Sequence, residues 1–311
     1  MIEYPKDSKK TFKILSIDGG GIRGVYSAHI LKKIEEEFKI KLHDYFDLIA
    51  GTSTGSIIAA AIACNIPLIE IEKLYIEKGK KIFTKRKKIG IPCKGVWEPI
   101  YDNDELKKIL NEYFRNIKLE EVSKRLIIPS TDVYNGEVFV AKSKYHQKFI
   151  RDNNIKVVDA VLGSCSAPMY FKPHKIKDYL LADGGLWANN PSLVAVIEAL
   201  KKCNQDLNDI KLLSIGTGLY KPEFSNANKW GILNGWKNKK FIDFIFSLQS
   251  QSAHNYTSLL LQADQLKRIN YESDIPQTLD DSLQIDKLIS KADAYFTYHV
   301  DELRRFLEVK E

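Results

Sequence analysis

The sequence has no long hydrophobic run. Its longest uninterrupted apolar stretch, Ile57 to Cys64, is eight residues, far short of the roughly 20 needed to cross a bilayer. The opening residues hold no apolar segment, so no secretory signal is expected. Cysteine is scarce: Cys64, Cys93, Cys165 and Cys203 are scattered and form no C-x-x-C pair. That argues against a zinc site and for reduced thiols in the cytoplasm. No linker rich in Gly, Ser or Pro, no repeat and no low-complexity tract interrupts the chain. A single domain is therefore expected, with a helical excursion at about 229–262 near its mouth. The 44% hydrophobic and 28% charged composition of the 311 residues is that of a globular chain and excludes bulk disorder and a collagen-like repeat.

Acid is missing from one place in particular. Between Lys78 and Lys94 lie eight bases (Lys78, Lys80, Lys81, Lys85, Arg86, Lys87, Lys88, Lys94) and no Asp or Glu. The formal net charge is +7, so the rest of the chain sums to −1. This is a near-neutral protein carrying one basic segment, interleaved with Phe83, Ile89 and Ile91. An anionic membrane or a nucleic acid suits such a segment, and so does plain solvated surface. Nucleic acid is the weaker partner, because no reading fold is visible.

Along the chain, apolar strands alternate with glycine turns and helices. Lys13–Ile17 reads as a strand that enters Asp18-Gly19-Gly20-Gly21-Ile22-Arg23-Gly24, followed by a helix with Ala28, Leu31, Ile34 and Phe38 on one face. Tyr45–Ala50 reads as a second strand, Gly51–Gly55 as a tight turn and Ser56–Cys64 as a buried helix. Asp104–Phe114 is amphipathic. Leu126–Ile128, Val138–Ala141, Tyr179–Ala182 and Lys211–Ile215 read as strands, and Asn190-Pro191 opens a helix. The repeated strand–turn–helix order predicts an α/β fold with a mainly parallel sheet. Asp102-Asn103-Asp104-Glu105 lacks the spacing and glycine of a calcium loop and reads as a helix cap; no metal site is expected.

Gly51-Thr52-Ser53-Thr54-Gly55 fits G-x-S-x-G between a strand and a helix, the setting in which glycines permit a sharp turn that lifts a serine hydroxyl off the sheet. A serine nucleophile needs an oxyanion hole and a base. Gly19, Gly20 and Gly21, at a helix N-terminus, offer unhindered N–H groups, with Arg23 nearby either adding charge or pairing with a carboxylate. The same loop fits G-x-G-x-x-G, but the second strand runs into the serine turn instead of ending in a ribose-binding acid, which weighs against a nucleotide-binding module. Asp183, ending an apolar strand before Gly184 and Gly185, is the strongest carboxylate base. No histidine lies in a catalytic context, although the order Ser53, Asp183, then His254 or His299 would suit a triad.

Together, Asp-Gly-Gly-Gly-Ile-Arg-Gly at 18–24, Gly-Thr-Ser-Thr-Gly at 51–55 and Asp-Gly-Gly at 183–185 closely resemble the patatin-like phospholipase family. Softer similarities are Ser-Ala-Pro-Met-Tyr-Phe at 166–171, Leu-Ser-Ile-Gly-Thr-Gly at 213–218 and Arg-Ile-Asn at 268–270. The resemblance implies a three-layer α/β/α fold and lipid acyl hydrolysis by a Ser–Asp dyad without histidine or cofactor. It makes Ser53 the nucleophile, Asp183 the base and Gly19, Gly20, Gly21 and Arg23 the oxyanion region, with Gly51, Gly55, Gly184 and Gly185 as motif positions. Ser56 departs from the glycine many members carry there. Some stand-alone bacterial members are anti-phage effectors switched on by cyclic oligonucleotides, which puts such an activator among the implied partners. On this reading Lys85, Arg86, Lys87 and Lys88 contact an anionic membrane that a cytoplasmic enzyme visits peripherally. The alternatives are a soluble esterase or thioesterase, or a nucleotide-binding module using the glycine loop.

Overall fold

The computed structural model describes residues 11–83, 98–219, 239–273 and 278–309. Its strands are β1 (Phe12–Ile17), β2 (Leu48–Gly51), β3 (Arg125–Asp132), β4 (Glu137–Lys142), β5 (His174–Ile176), β6 (Tyr179–Asp183), β7 (Ile210–Ile215) and β8 (Leu266–Ile269). The longer helices are α1 (Gly24–Phe38), α2 (Thr54–Ala63), α3 (Asn103–Phe114), α4 (Val157–Cys165), α5 (Ser192–Lys202), α6 (Lys239–Leu260) and α7 (Ile285–Leu307). Among the described residues the strands form one sheet in the order β5-β6-β3-β2-β1-β7-β8, with β4 on the free edge of β3. β3, β2, β1, β7 and β8 run parallel, while β4, β5 and β6 pair antiparallel.

The central strands are apolar almost throughout because helices cover both faces. Alternate side chains divide between two cores. Leu15, Ile17, Ile49, Leu213 and Ile215 pack with residues of α1, α2, α4 and α7, while Ile14, Leu48, Ile127 and Leu212 pack with Ala195, Val196 and Ala199 of α5. The result is three layers, α/β/α. The strand expected at Tyr45–Ala50 starts only at Leu48, because Leu42–Tyr45 forms a helical turn. Asp102 caps α3, its carboxylate accepting the Asp104 N–H at 3.2 Å.

Register places the strand ends in a row. Ile17 lies beside Gly51 on one side and Ile215 on the other, and Ile215 beside Ile269. The loops after β1, β2, β7 and β8 therefore emerge together at the carboxyl edge of the sheet, where ligands bind in open α/β folds. β3 adds the last element. Its first residues pair with β2 through Ile127, and its last pair with β6 from Ser130, which faces Asp183. β2 and the antiparallel β6 thus converge end to end along one edge of β3, over Pro129.

Candidate active site

At that meeting point the chain turns from Gly51 through Thr52 and Ser53 into α2. Ser53 adopts φ 53° and ψ −125°, a conformation that non-glycine residues rarely hold and that surrounding contacts must enforce. Those contacts are present. The Ser53 N–H donates to Ser164 Oγ at 2.9 Å, and Ser164 Oγ donates to the Pro129 carbonyl at 2.6 Å. Thr52 Oγ1 donates to the Ala188 carbonyl at 2.7 Å, and Ser56 Oγ donates to the Ser53 carbonyl at 2.6 Å. Ser56, the departure noted in the sequence, is thus part of the turn's bracing. Gly55 has no room for a side chain, since a Cβ there would lie 2.3 Å from the Ile17 carbonyl oxygen.

The strand convergence brings Ser53 and Asp183 together. Ser53 Oγ donates to Asp183 Oδ2 at 2.7 Å, and the Gly185 N–H donates to Asp183 Oδ1 at 2.7 Å. Asp183 is fully buried. Burial pushes its carboxyl up to about 7, outweighing the two hydrogen bonds that favour the charged form. A carboxylate with this affinity can take a hydroxyl proton near neutral pH, which an ordinary aspartate does poorly.

The glycine loop after β1 faces the same point. The Gly19 N–H donates to the Asn189 carbonyl at 2.9 Å. The Ile22 N–H donates to the Leu279 carbonyl at 2.8 Å. The N–H groups of Gly20 and Gly21 have no acceptor among the described residues and remain the donors available. Gly21 sits at φ +59°, with the Leu279 carbonyl oxygen 2.2 Å from where a Cβ would be. Arg23 is buried and folds back, Nε donating to the Gly20 carbonyl at 3.1 Å; it shapes the loop as well as bringing charge to it.

Several residues that the motifs did not single out hold this arrangement. Thr217 Oγ1 donates to the Gly19 carbonyl at 2.7 Å. Arg268 grips Asp18 at 2.5 and 2.8 Å, with Ser250 Oγ donating to the same carboxylate at 2.6 Å. Asn270 Oδ1 accepts the Gly218 N–H at 2.8 Å. The stretches at 213–218 and 268–270 carried the signal as similarity, without saying what they touch. Asp18, Arg23, Asn189 and Thr217 line a small polar cavity closed by Phe246, Ser247 and Ser250 of α6.

On the other side of Ser53 lies an apolar pocket lined by Ile22, Ile57, Leu74, Ile82, Phe83, Leu106 and Phe171, among others. Tyr75 closes it next to Thr54, with the two hydroxyl oxygens 2.5 Å apart. The Cys165 thiol is fully buried there, and burial together with the Asp183 charge pushes its pKa up, keeping it a neutral thiol. Ile82 and Phe83, within the basic segment, line this pocket. Lys85, Arg86, Lys87 and Lys88 lie outside the described residues.

Four of the histidines are engaged elsewhere. His29 is held between Glu72 and Asp293, His43 bonds the Ile62 carbonyl, His174 bonds Asp159, and His299 bonds the Tyr295 carbonyl. His254 lies on α6 near Arg268 and Asp18. No described histidine hydrogen-bonds Ser53 or Asp183. Among the described residues no group of three or more His, Cys, Asp or Glu could hold a metal ion.

A family model described as patatin-like phospholipase matches residues 15–196, which include the glycine loop, the serine turn and Asp-Gly-Gly. The chain belongs to the patatin-like phospholipase family. As a patatin-like phospholipase it is a hydrolase of ester bonds in lipids. It is 30% identical over 300 residues to a cGAMP-activated phospholipase of Escherichia coli (strain TW11681), covering 90% of this chain and 81% of that protein. It is 32% identical over 293 residues to Patatin-like protein 4 of Arabidopsis thaliana, covering 80% and 72%. A cUMP-AMP-activated phospholipase of Escherichia coli is 28% identical over 302 residues, covering 93% and 90%.

Proposed function

We propose that this phospholipase cleaves acyl esters of membrane phospholipids with Ser53 as nucleophile and Asp183 as the only base. The observation that carries the reading is the 2.7 Å hydrogen bond from Ser53 Oγ to a buried carboxylate, placed between an apolar pocket and the glycine loop. As Ser53 Oγ attacks the ester carbonyl carbon, ionised Asp183 takes its proton and the N–H groups of Gly20 and Gly21 receive the developing oxyanion. Each such donor is worth roughly 3 kcal/mol in the transition state. Collapse expels the lysophospholipid oxygen, which takes the proton from Asp183. Water then gives its proton to Asp183 and attacks the acyl-enzyme. Ser53 Oγ leaves with that proton, and a fatty acid is freed.

The apolar pocket suits the acyl chain, since aliphatic and aromatic walls reward burial of methylene groups by about 0.8 kcal/mol each. The names of the bacterial relatives support an enzyme switched on by a cyclic dinucleotide. The reading includes one domain over residues 11–305, working in the cytoplasm and touching the membrane peripherally through the basic segment. No described helix is long and apolar enough to cross a membrane.

The test is fatty-acid release from phospholipid vesicles, measured by mass spectrometry with and without cyclic dinucleotides. Ser53→Ala should abolish release, and Asp183→Asn should do the same while each His→Ala variant stays active. Release by Ser53→Ala protein at the wild-type rate would overturn the proposal. A wild type that turns over only water-soluble esters, with vesicles untouched under every activator, would favour the esterase alternative.

A further inference from the structure

Two adjacent asparagines follow the Asp-Gly-Gly turn, and the fold uses them differently. Asn190 is engaged at both ends of its amide. Its Oδ1 accepts the Ser192 N–H at 3.0 Å and the Ser16 hydroxyl at 3.4 Å, and its Nδ2 donates to the Ser250 carbonyl at 3.5 Å. Asn189 is fixed through its backbone, whose carbonyl accepts the Gly19 N–H at 2.9 Å. It is 5% exposed, and its side-chain Oδ1 is buried with no hydrogen-bond donor among the described residues. A buried amide oxygen without a donor lowers stability, and such exceptions in folded proteins call for a reason.

That oxygen lies against the Ser–Asp pair. It is 2.3 Å from the point where a Cβ on Gly19 would be, and Ser53 Cβ is 3.2 Å from the same point. It is also 3.0 Å from where a Cβ on Gly185 would be, and the Gly185 N–H is the donor that holds Asp183 Oδ1. The donors around it are engaged: Ser53 Oγ and the Gly185 N–H with Asp183, the Gly19 N–H with the Asn189 carbonyl. Asn189 also lines the polar cavity with Asp18, Arg23 and Thr217, whereas the pocket that Ser53 lines is apolar.

An ester group brings acceptors and no donor to this point. Water brings two O–H groups, and Asp183 takes only one of them. We propose that Asn189 Oδ1 accepts the other, and so holds the water that hydrolyses the acyl-enzyme. The proposal rests on the Ser53 acyl-enzyme of the reading above. As the water oxygen bonds to the acyl carbon, one proton passes to Asp183. The second stays on that oxygen, hydrogen-bonded to Asn189 Oδ1. The tetrahedral adduct then collapses: the bond to Ser53 Oγ breaks, Ser53 Oγ takes the proton from Asp183, and the fatty acid leaves with the proton it retained. This contact is made in deacylation alone, so it lowers that barrier and leaves acylation untouched. An alcohol has a single O–H, which Asp183 takes. Asn189 therefore favours water over an alcohol as acceptor of the acyl group.

The experiment follows a soluble nitrophenyl butyrate by stopped flow in wild type, Asn189→Leu and Asn189→Ala, with and without cyclic dinucleotides. Methanol serves as the competing acceptor, and intact-protein mass spectrometry counts butyryl groups on the enzyme. Thermal melting and labelling of Ser53 by a fluorophosphonate report that each variant is folded; if Asn189→Leu is not, Asn189→Ala carries the comparison. Each folded variant should release its first equivalent of nitrophenol at the wild-type rate and then turn over at least about tenfold more slowly. Butyryl-enzyme should accumulate, and the ratio of methyl butyrate to butyrate should rise. A first turnover slowed by the same factor as the steady state, with that ratio unchanged, overturns the proposal, because an amide N–H on the oxyanion or a loosened Gly19 loop would act on both steps. Wild-type turnover in the variants overturns it too. A wild type that hydrolyses the ester with no butyryl group on Ser53 defeats the acyl-enzyme reading itself, a result seen without any variant.

Discussion

Gly19 and Asn189 are fitted to each other twice. The Gly19 N–H donates to the Asn189 carbonyl at 2.9 Å, and the Asn189 side chain occupies the space a Cβ on Gly19 would need, its Oδ1 2.3 Å from that point. The obstacle is the end of a side chain, whereas at Gly21 it is the Leu279 backbone oxygen at 2.2 Å, combined with φ +59°. The two glycines should therefore respond differently to alanine. Gly21→Ala loses about 1–2 kcal/mol to backbone conformation alone, and the Leu279 clash adds to it. Its activity should be lost, since Gly21 carries one of the two loop amides with no acceptor among the described residues. Gly19→Ala should displace Asn189 and keep part of the activity. Thermal unfolding and soluble-ester kinetics on both variants test the order, and equal damage would refute it.

If Asp183 is the base, as proposed, it sets the pH dependence. Its carboxyl is pushed up to about 7, and only the ionised form can accept the Ser53 proton. kcat/KM for a soluble ester should fall tenfold per pH unit below about 7 and level off above it. An acid limb centred near 4, the ordinary aspartate value, would show that the carboxylate is not the base or is not desolvated during turnover.

The same shift has a stability consequence. A carboxyl whose folded pKa lies above its unfolded value favours folding fully below the unfolded pKa, about 3.9, and that contribution is lost as pH rises through about 7. Asp183→Asn removes the buried charge and keeps the shape. It should be inactive yet more heat-stable than wild type at pH 8, with the difference shrinking by pH 5. Melting curves at the two pH values decide it; a variant less stable at pH 8 would reverse the sign argued here.

The three glycine-bearing motifs were legible because each is a contiguous stretch whose backbone conformation only certain residues permit. Their meeting was not, since it depends on β2 and β6 sharing one edge of β3, a pairing that no local pattern encodes. Val157–Cys165 became α4 although its Val-Val-Asp-Ala-Val-Leu run fits a buried strand equally well by periodicity. Ser164, in that helix, is the clearest omission: a serine in an apolar helix carries no sequence signal, yet it accepts the Ser53 N–H and passes a hydrogen bond to Pro129. Ser164→Ala leaves two buried backbone groups unpaired. At about 1–3 kcal/mol for a buried group left unsatisfied, it should lower stability and cut kcat more than it raises KM, because it loosens the turn that aims Ser53. A change in KM alone would mean that Ser164 does not position the nucleophile.

Ile57 offers a test of where the acyl chain goes. It lies on α2 one turn beyond Ser53, is 4% exposed, and lines the apolar pocket together with Leu106 and Phe171. Enlarging it to Phe fills the pocket near the nucleophile without touching the Ser53–Asp183 hydrogen bond. Overpacking costs about 1–3 kcal/mol of stability, so a lower melting temperature is expected and is not itself the readout. The readout is the ratio of rates on long-chain and two-carbon acyl esters of one alcohol. If the chain occupies this pocket, Ile57→Phe lowers the long-chain rate at least about tenfold and spares the acetate. If the ratio is unchanged, the chain runs along another path and the pocket belongs to the packing of α2.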